Sequence, residues 1–255
     1  MKMIKVFGLS LGILCFSVII QNFAESAPSE VLKNFIAGIL DYKEENYAKA
    51  VEDYEAIVKS GWESGTLYYN LGNSYFRDGK IGKAVLNYER AKRIMPRDGD
   101  VSFNYNYVRN LVKPYGNAAE ESIILKFVRN VYDFYSMSEL AWLMAWILAA
   151  LAAAHLFSLF LKWPGGIRRG VFGALVVLLI FYGTAFWAKF FREKNPAVIV
   201  NDTDTTFEPR SDSTVHFRLP EGAKVEILAQ EGNWVKVKRP DGKLGWLPSV
   251  SAEKI

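Results

Sequence analysis

The chain has 255 residues, one cysteine, two histidines and a formal net charge of +4 at pH 7, and 51% of its residues are hydrophobic. This length leaves room for two small domains together with membrane spans, and a single cysteine excludes a disulfide within one chain. So few Cys and His residues predict no zinc cluster, and so small a charge predicts no nucleic-acid partner. We therefore expect no metal and no cofactor.

Residues 1–27 have the layout of a secretory signal peptide. Lys2 and Lys5 precede an apolar run at residues 6–20, and small residues follow at 24–27. This order predicts cleavage near residue 27. An uncleaved membrane anchor stays open as the alternative. In both cases the next segment is exported.

Residues 28–116 contain an internal repeat with an offset of about 34 residues, the period of tetratricopeptide repeats. The positions that recur are Gly38, Ala50, Tyr54, Ile57 and Trp62, which return as Gly72, Ala84, Tyr88, Ala91 and Pro96. Small residues allow paired helices to cross closely, and a proline ends the second helix. We predict helices at about 30–44, 47–60, 65–78, 81–94 and 100–112. They form an α-solenoid of two repeats and a capping helix.

The resemblance to tetratricopeptide repeats implies a ligand groove, because the first helix of each pair lines the concave surface in that family. The inward positions expected here are Phe35, Ile39, Tyr42, Tyr69, Asn73, Phe76, Phe103 and Tyr107. Three of them, Phe35, Tyr69 and Phe103, are related by the repeat offset and predict one aromatic row. The resemblance also implies that Asn73 bonds the backbone of a bound peptide. The lysines of a carboxylate clamp are missing, which favours an apolar helix or an extended segment as ligand.

Residues 117–137 are predicted to form an amphipathic juxtamembrane helix. It could lie on the membrane surface or pack as a further helix of the solenoid, and its residues 120–135 could also fold back into the groove. Ser136 and Glu139 have the spacing of a capping box that would open the next helix.

Two apolar stretches, at residues 138–161 and 171–188, are each long enough to span a lipid bilayer. The loop between them, residues 162–170, carries Lys162, Arg168 and Arg169, so we expect it to be cytoplasmic. The domains on either side of this helical hairpin would then be extracytoplasmic. His155 lies within the first span, where we expect a neutral imidazole bonded to a hydroxyl such as that of Ser158 or Thr184.

Residues 195–255 read as a small all-β domain. Short β-type runs occur at 196–200, 215–218, 224–228, 234–238 and 245–247, separated by Pro/Gly/Asn turn signals. Five short strands predict a closed or nearly closed barrel. We expect Trp246 in its core, and a position on a ligand face is the alternative. The acidic residues Asp202, Asp204, Glu208 and Asp212 fall in a polar stretch that we interpret as a solvated loop.

This last segment resembles the bacterial SH3 domain, which implies a small SH3-like barrel that binds cell-wall or peptide ligands. The resemblance depends on Leu219, Glu221, Gly222, Val225, Gly232, Trp234, Val237, Asp241, Gly242, Gly245 and Trp246.

The complete order of segments resembles the E-type proteins of the Bacteroides aerotolerance (Bat) operons. That resemblance implies an envelope protein of the cytoplasmic (inner) membrane, with von Willebrand factor A-type membrane proteins as partners and peptidoglycan as a further ligand. We expect a non-enzymatic scaffold, because no nucleophile and base have a recognisable spacing. A cell-wall-associated enzyme, or an enzyme-targeting subunit acting on peptidoglycan, is the alternative.

Overall fold

The computed structural model describes residues 29–113, 123, 133–160, 163–192 and 195–255. The predicted signal peptide, residues 1–27, lies outside the described residues. Most of the predicted juxtamembrane helix does so too, because only residues 123 and 133–137 of it are described.

Five helices form the N-terminal solenoid: α1 (Ser29–Lys43), α2 (Tyr47–Lys59), α3 (Gly65–Arg77), α4 (Ile81–Ile94) and α5 (Gly99–Leu111). The predicted bounds are confirmed to within one residue. Helix α3 begins after Ser64, whose side chain accepts the Leu67 N–H at 3.1 Å. One repeat offset later, α5 begins after Asp98, which accepts the Val101 N–H at 2.9 Å. Such capping satisfies amide groups that have no partner within the helix.

Close crossing of paired helices depends on two glycines, as the repeat predicts. A Cβ atom added at Gly38 would lie 2.7 Å from the ring of Tyr54. A Cβ atom at Gly72 would lie 3.0 Å from the ring of Tyr88. The same glycine–tyrosine contact therefore occurs in both repeats, and each tyrosine is almost fully buried.

Helices α6 (Met137–Phe160) and α7 (Gly165–Arg192) pack against each other as a hairpin. The capping box is confirmed: the Ser136 N–H donates to Glu139 at 2.8 Å, and the Glu139 N–H donates to the Ser136 hydroxyl at 3.2 Å. Helix α7 begins at Gly165, six residues before the predicted start at 171, so most of the expected loop 162–170 is helical. Both helices are long and apolar enough to cross a membrane.

The C-terminal domain contains seven strands: β1 (Pro196–Ile199), β2 (Thr203–Thr206), β3 (Val215–Leu219), β4 (Lys224–Glu231), β5 (Trp234–Lys238), β6 (Leu244–Pro248) and β7 (Ala252–Lys254). They form one antiparallel sheet in the order β3-β2-β6-β5-β4-β1-β7. Of the expected closed or nearly closed barrel, full closure is not found, because within the described strands β3 and β7 remain the two edges of an open sheet. Strands β2 and β7 were not predicted, and β2 lies inside the supposed acidic loop.

The SH3-like sheet packs directly on the solenoid. Val198 and Val200, at the end of β1, and the C-terminal Ile255 belong to the apolar cluster that also contains Val85 of α4. The second core, which contains Leu219 and Leu247, lies within the sheet itself. The two domains therefore share part of one hydrophobic core although the hairpin separates them in sequence.

Candidate functional site

The eight predicted groove residues lie on the first helices α1, α3 and α5, and three of them, Ile39, Tyr42 and Asn73, line one cavity. Six are partly exposed: Phe35, Ile39, Tyr42, Tyr69, Asn73 and Phe76. The other two, Phe103 and Tyr107 on the capping helix, are 72% and 54% exposed. A cavity of about 240 Å³ opens beside them, lined by Ile39, Tyr42, Lys43, Tyr54, Asn70 and Asn73. Accessible apolar side chains around a cavity are typical of a protein-binding surface.

The aromatic residues of the groove make specific ring contacts. Phe35 packs edge-on against Tyr54 at a centroid distance of 5.7 Å, and Tyr69 lies 6.2 Å from Tyr88. Each therefore packs on the tyrosine in the second helix of its own repeat. Phe76 contacts Tyr107 at 5.8 Å in a perpendicular arrangement, which joins the second repeat to the capping helix. These contacts hold the rings in place before any ligand arrives.

Asn73 is the centre of a hydrogen-bond network inside the groove. Its Oδ1 atom accepts the Tyr88 hydroxyl at 2.6 Å and the Asn104 amide at 2.9 Å. Asn104 also donates to the Tyr69 hydroxyl at 3.0 Å. The side-chain oxygen of Asn73 is thus already engaged within the solenoid. Sequence reasoning missed Asn104 as a groove residue, although its repeat relation to Asn70 was a usable signal.

On the opposite side of the solenoid, the SH3 domain covers helix α4. A Cβ atom added at Gly82 would lie 2.6 Å from the Ile199 carbonyl oxygen and 2.8 Å from the Val200 Cα atom. The Gly82 N–H donates to the Glu221 carboxylate at 3.0 Å, so a residue of the SH3 domain satisfies one of the free amides at the start of α4. A negative charge is favourable at this end of a helix.

A buried ion pair strengthens the same interface. Glu89 of α4 is 7% exposed, and its carboxylate lies 2.8 Å from the Lys224 ammonium of β4. The Tyr105 hydroxyl also donates to Glu89. Burial acts to raise the pKa of Glu89, but the charge and hydrogen bond of Lys224 outweigh it and hold the pKa below its ordinary value. Glu89 therefore stays ionised at neutral pH.

Two arginines of α4 fix the last strand. Arg90 donates to the Lys254 carbonyl at 2.6 Å, and Arg93 donates to the Ile255 carbonyl at 2.8 Å. Strand β7 is one of the two edges of the sheet, where backbone groups would otherwise be open to pairing. The solenoid thus protects this edge of the SH3 domain.

The far side of the SH3 domain is not covered by the solenoid helices. Phe207 is 58% exposed and stacks on His216, with ring centroids 4.2 Å apart. Phe217 lies under the guanidinium of Arg239 at 4.7 Å. Trp246 is 8% exposed, which confirms its assignment to the core.

The acidic residues of the supposed loop stabilise turns. Asp202 accepts the Glu221 N–H at 2.9 Å. Glu208 and Asp212 both lie near Arg210, at 2.7 and 3.6 Å. In the hairpin, the hydroxyls of Ser158 and Thr184 donate to carbonyls of their own helices, and the His155 ring lies edge-on to Phe172. The expected hydroxyl–imidazole bond is therefore replaced by an aromatic contact.

Two known families match parts of this chain. The Tetratricopeptide repeat family matches residues 65–98, which comprise α3 and α4. The Bacterial SH3 domain family matches residues 207–252, from the β2–β3 turn to β7. No curated protein matches the chain. These matches confirm that the chain contains a tetratricopeptide repeat and a bacterial SH3 domain. A tetratricopeptide repeat indicates protein–protein interaction, and a bacterial SH3 domain indicates binding to the cell wall.

Proposed function

We propose that this protein is a non-enzymatic, membrane-anchored adaptor of the bacterial cell envelope. It holds a partner protein in the concave groove of the solenoid and presents the SH3 domain to peptidoglycan. The observation that carries the proposal is the position of the SH3 domain. It docks on α4, and the proposed groove residues of α1, α3 and α5 remain partly or largely exposed.

The hairpin α6–α7 is proposed to be the membrane anchor. Aromatic side chains gather where it meets the solenoid: Tyr135 packs on Tyr182, and Trp142 and Trp187 are 61% and 64% exposed. Aromatic residues favour the boundary between lipid and water. Arg97 of the solenoid donates to Glu139 at the start of α6, which ties the repeats to this end of the hairpin.

Both soluble domains are proposed to lie on the outer side of the cytoplasmic membrane. The solenoid precedes the hairpin in sequence and the SH3 domain follows it. Their direct contact therefore supports a location on the same side of the membrane. Arg168 and Arg169 in the first turn of α7, at the opposite end, favour a cytoplasmic location for that end.

The partner is proposed to be a membrane-anchored protein with a von Willebrand factor A-type domain, as the resemblance to the Bat operon proteins implies. The groove would receive an apolar helix or extended segment of that protein. Its exposed aromatic anchors suit such a ligand, because a few aromatic residues commonly supply most of the binding energy of an interface.

The groove is tested by the double substitution Phe103→Ala with Tyr107→Ala. Both side chains are more than half exposed, and an unchanged thermal unfolding curve will show that the solenoid folds without the Phe76–Tyr107 contact. Recovery of a co-expressed von Willebrand factor A-type partner from detergent-solubilised membranes should fall at least about tenfold, the effect of losing ~1.4 kcal/mol. The matched control is Ile36→Ala with Leu40→Ala, which are 48% and 53% exposed on the outer face of α1. Equal recovery with the two double variants would reject the groove as the binding site.

The topology is tested by cysteine labelling after Cys15→Ser. Single cysteines are placed at Glu63, Gly166 and Val250, all exposed positions, and intact spheroplasts are treated with an impermeant maleimide. We expect labelling at positions 63 and 250, and labelling at 166 only after lysis. The proposed orientation would be contradicted if position 63 or 250 is not labelled in intact spheroplasts. Labelling of position 166 in intact spheroplasts would contradict it too.

A further inference from the structure

A cleft lies where the SH3 domain docks on the solenoid, and residues of both domains line it. Its volume is about 500 Å³, within the range of small-molecule sites, which often form between domains. Helix α2, the turn between α3 and α4, and the chain segment after β1 form its walls. Its lining residues are Ala48, Val51, Glu52, Glu55, Tyr75, Gly79, Lys80, Lys83, Val200, Asn201 and Glu221.

The floor of this interdomain cleft is apolar and fixed. Val51 and Val200 are 6% and 4% exposed, and the buried ring of Tyr75 lies beside them. The Tyr75 hydroxyl donates to Glu55, which also pairs with Lys59 at 3.1 Å. Burial acts to raise the pKa of Glu55, but these hydrogen bonds hold it below its ordinary value. The deep wall therefore keeps one ionised carboxylate in a set position.

The opening of the cleft carries charges of both signs. Lys80 pairs with Asp78 at 2.7 Å, and its side chain is 56% exposed. Glu52 is exposed and, within the described part of the chain, neither it nor Asn201 has a side-chain hydrogen bond or ion pair. Carboxylates outnumber ammonium groups along the lining by three to two, which disfavours a polyanion such as a nucleotide.

We propose that the interdomain cleft binds a short peptide that carries both a free ammonium group and a free carboxylate. Glu52 receives the ammonium group, Lys80 receives the carboxylate, and the Asn201 amide bonds the peptide backbone. The apolar floor takes small side chains. The two charged ends of the peptide fix its direction in the cleft. In the reverse direction, the peptide carboxylate would meet Glu52 and the peptide ammonium group would meet Lys80. This site is separate from the concave groove, so the two proposals can fail independently.

The test titrates tetra-alanine with free termini into the full-length protein in detergent and follows the peptide by ligand-observed NMR. The double variant Glu52→Gln with Lys80→Gln should weaken binding at least about tenfold. The matched control, Glu231→Gln with Lys243→Gln, removes one exposed acid and one exposed lysine of the SH3 domain away from the cleft and should bind as the wild type does. Acetylated tetra-alanine amide, which has the same size without charges, should not bind.

Three results would overturn the proposal. One is the absence of tetra-alanine binding to the wild type. Another is equal affinity for the charged and the blocked peptide, and the third is equal weakening by the cleft and control variants. Because Glu52 and Lys80 are exposed, an unchanged thermal unfolding curve will show that loss of binding does not reflect loss of folding.

Discussion

Replacing Gly82 by alanine is expected to detach the SH3 domain from the solenoid. The new methyl group would lie 2.6 Å from the Ile199 carbonyl oxygen and 2.8 Å from the Val200 Cα atom. These are backbone atoms of the other domain, so they cannot rotate away, and overpacking of this kind costs about 1–3 kcal/mol. Alanine is also the better helix former, so α4 itself should become slightly more stable. The substitution thus separates the stability of the interface from that of the helix.

Hydrogen–deuterium exchange measures this effect where the two domains meet. In the Gly82→Ala protein, amides of residues 197–200 and 252–255 should exchange about tenfold faster or more, while those of α1–α3 keep their protection. Gly99→Ala is the matched control, because Gly99 also lies in the first turn of a helix and a Cβ atom there meets nothing within 4 Å. Wild-type exchange at both strands in Gly82→Ala would show that the contact does not hold the domains together.

Lys224→Met is expected to destabilise the same interface and to reverse its dependence on pH. Without the ammonium group, the buried Glu89 carboxylate loses its charged partner at 2.8 Å. Removing one partner of a fully buried ion pair typically costs about 3–5 kcal/mol, and the loss here should be smaller because the Lys224 side chain is 35% exposed. Methionine keeps the apolar stem of the side chain, so the loss should come from the charge.

The sign of the pH effect follows from the pKa of Glu89. In the wild type this pKa lies below its ordinary value of 4.5, so its stabilising contribution is present above pH 4.5 and is lost as the pH falls through the lowered value. In Lys224→Met, burial, the largest single effect on this pKa, is opposed only by the Tyr105 hydrogen bond and the charge of Arg109, so we expect the pKa to rise above 4.5. The folded variant then binds more protons than the unfolded chain, so its stability falls as the pH rises through that interval.

Thermal unfolding at pH 5 and pH 8 measures the difference. The Lys224→Met protein should lose more stability relative to the wild type at pH 8 than at pH 5. Lys238→Met is the control, because Lys238 pairs with Glu226 at 4.0 Å with both side chains 49% exposed. An exposed pair contributes at most about 1 kcal/mol. A loss that is equal at both pH values would contradict the role assigned to Glu89.

Neighbouring residues of α4 connect the two faces of the solenoid. Tyr88 points toward the groove and donates to Asn73, whereas Glu89 points toward the SH3 domain and pairs with Lys224. On α5, Asn104 and Tyr105 divide in the same way: Asn104 bonds Asn73 and Tyr105 bonds Glu89. The groove and the docking interface are therefore built from opposite sides of the same two helices.

The sequence by itself determined the features that depend on local spacing. The repeat offset predicted the five helices and the small residues at which paired helices cross closely, because helix geometry and the repeat period set which side chains share a face. The capping box at Ser136 and Glu139 was equally local, since its two hydrogen bonds join residues three positions apart. The turn signals and alternating residues predicted strands β3 to β6 for the same reason.

Only the tertiary structure decided the features that depend on distant partners. Strand β2 has the sequence Thr-Asp-Thr-Thr, which lacks apolar alternation and forms a strand because β3 and β6 pair with it. From its place in the helix pattern, Glu89 would be expected to face solvent. It is buried instead, because Lys224 of the SH3 domain, far away in sequence, pairs with it. The hydrogen bond from Gly82 to Glu221 spans 139 positions. No periodic pattern encodes such a contact, because it arises only when two folded surfaces of complementary shape and charge meet.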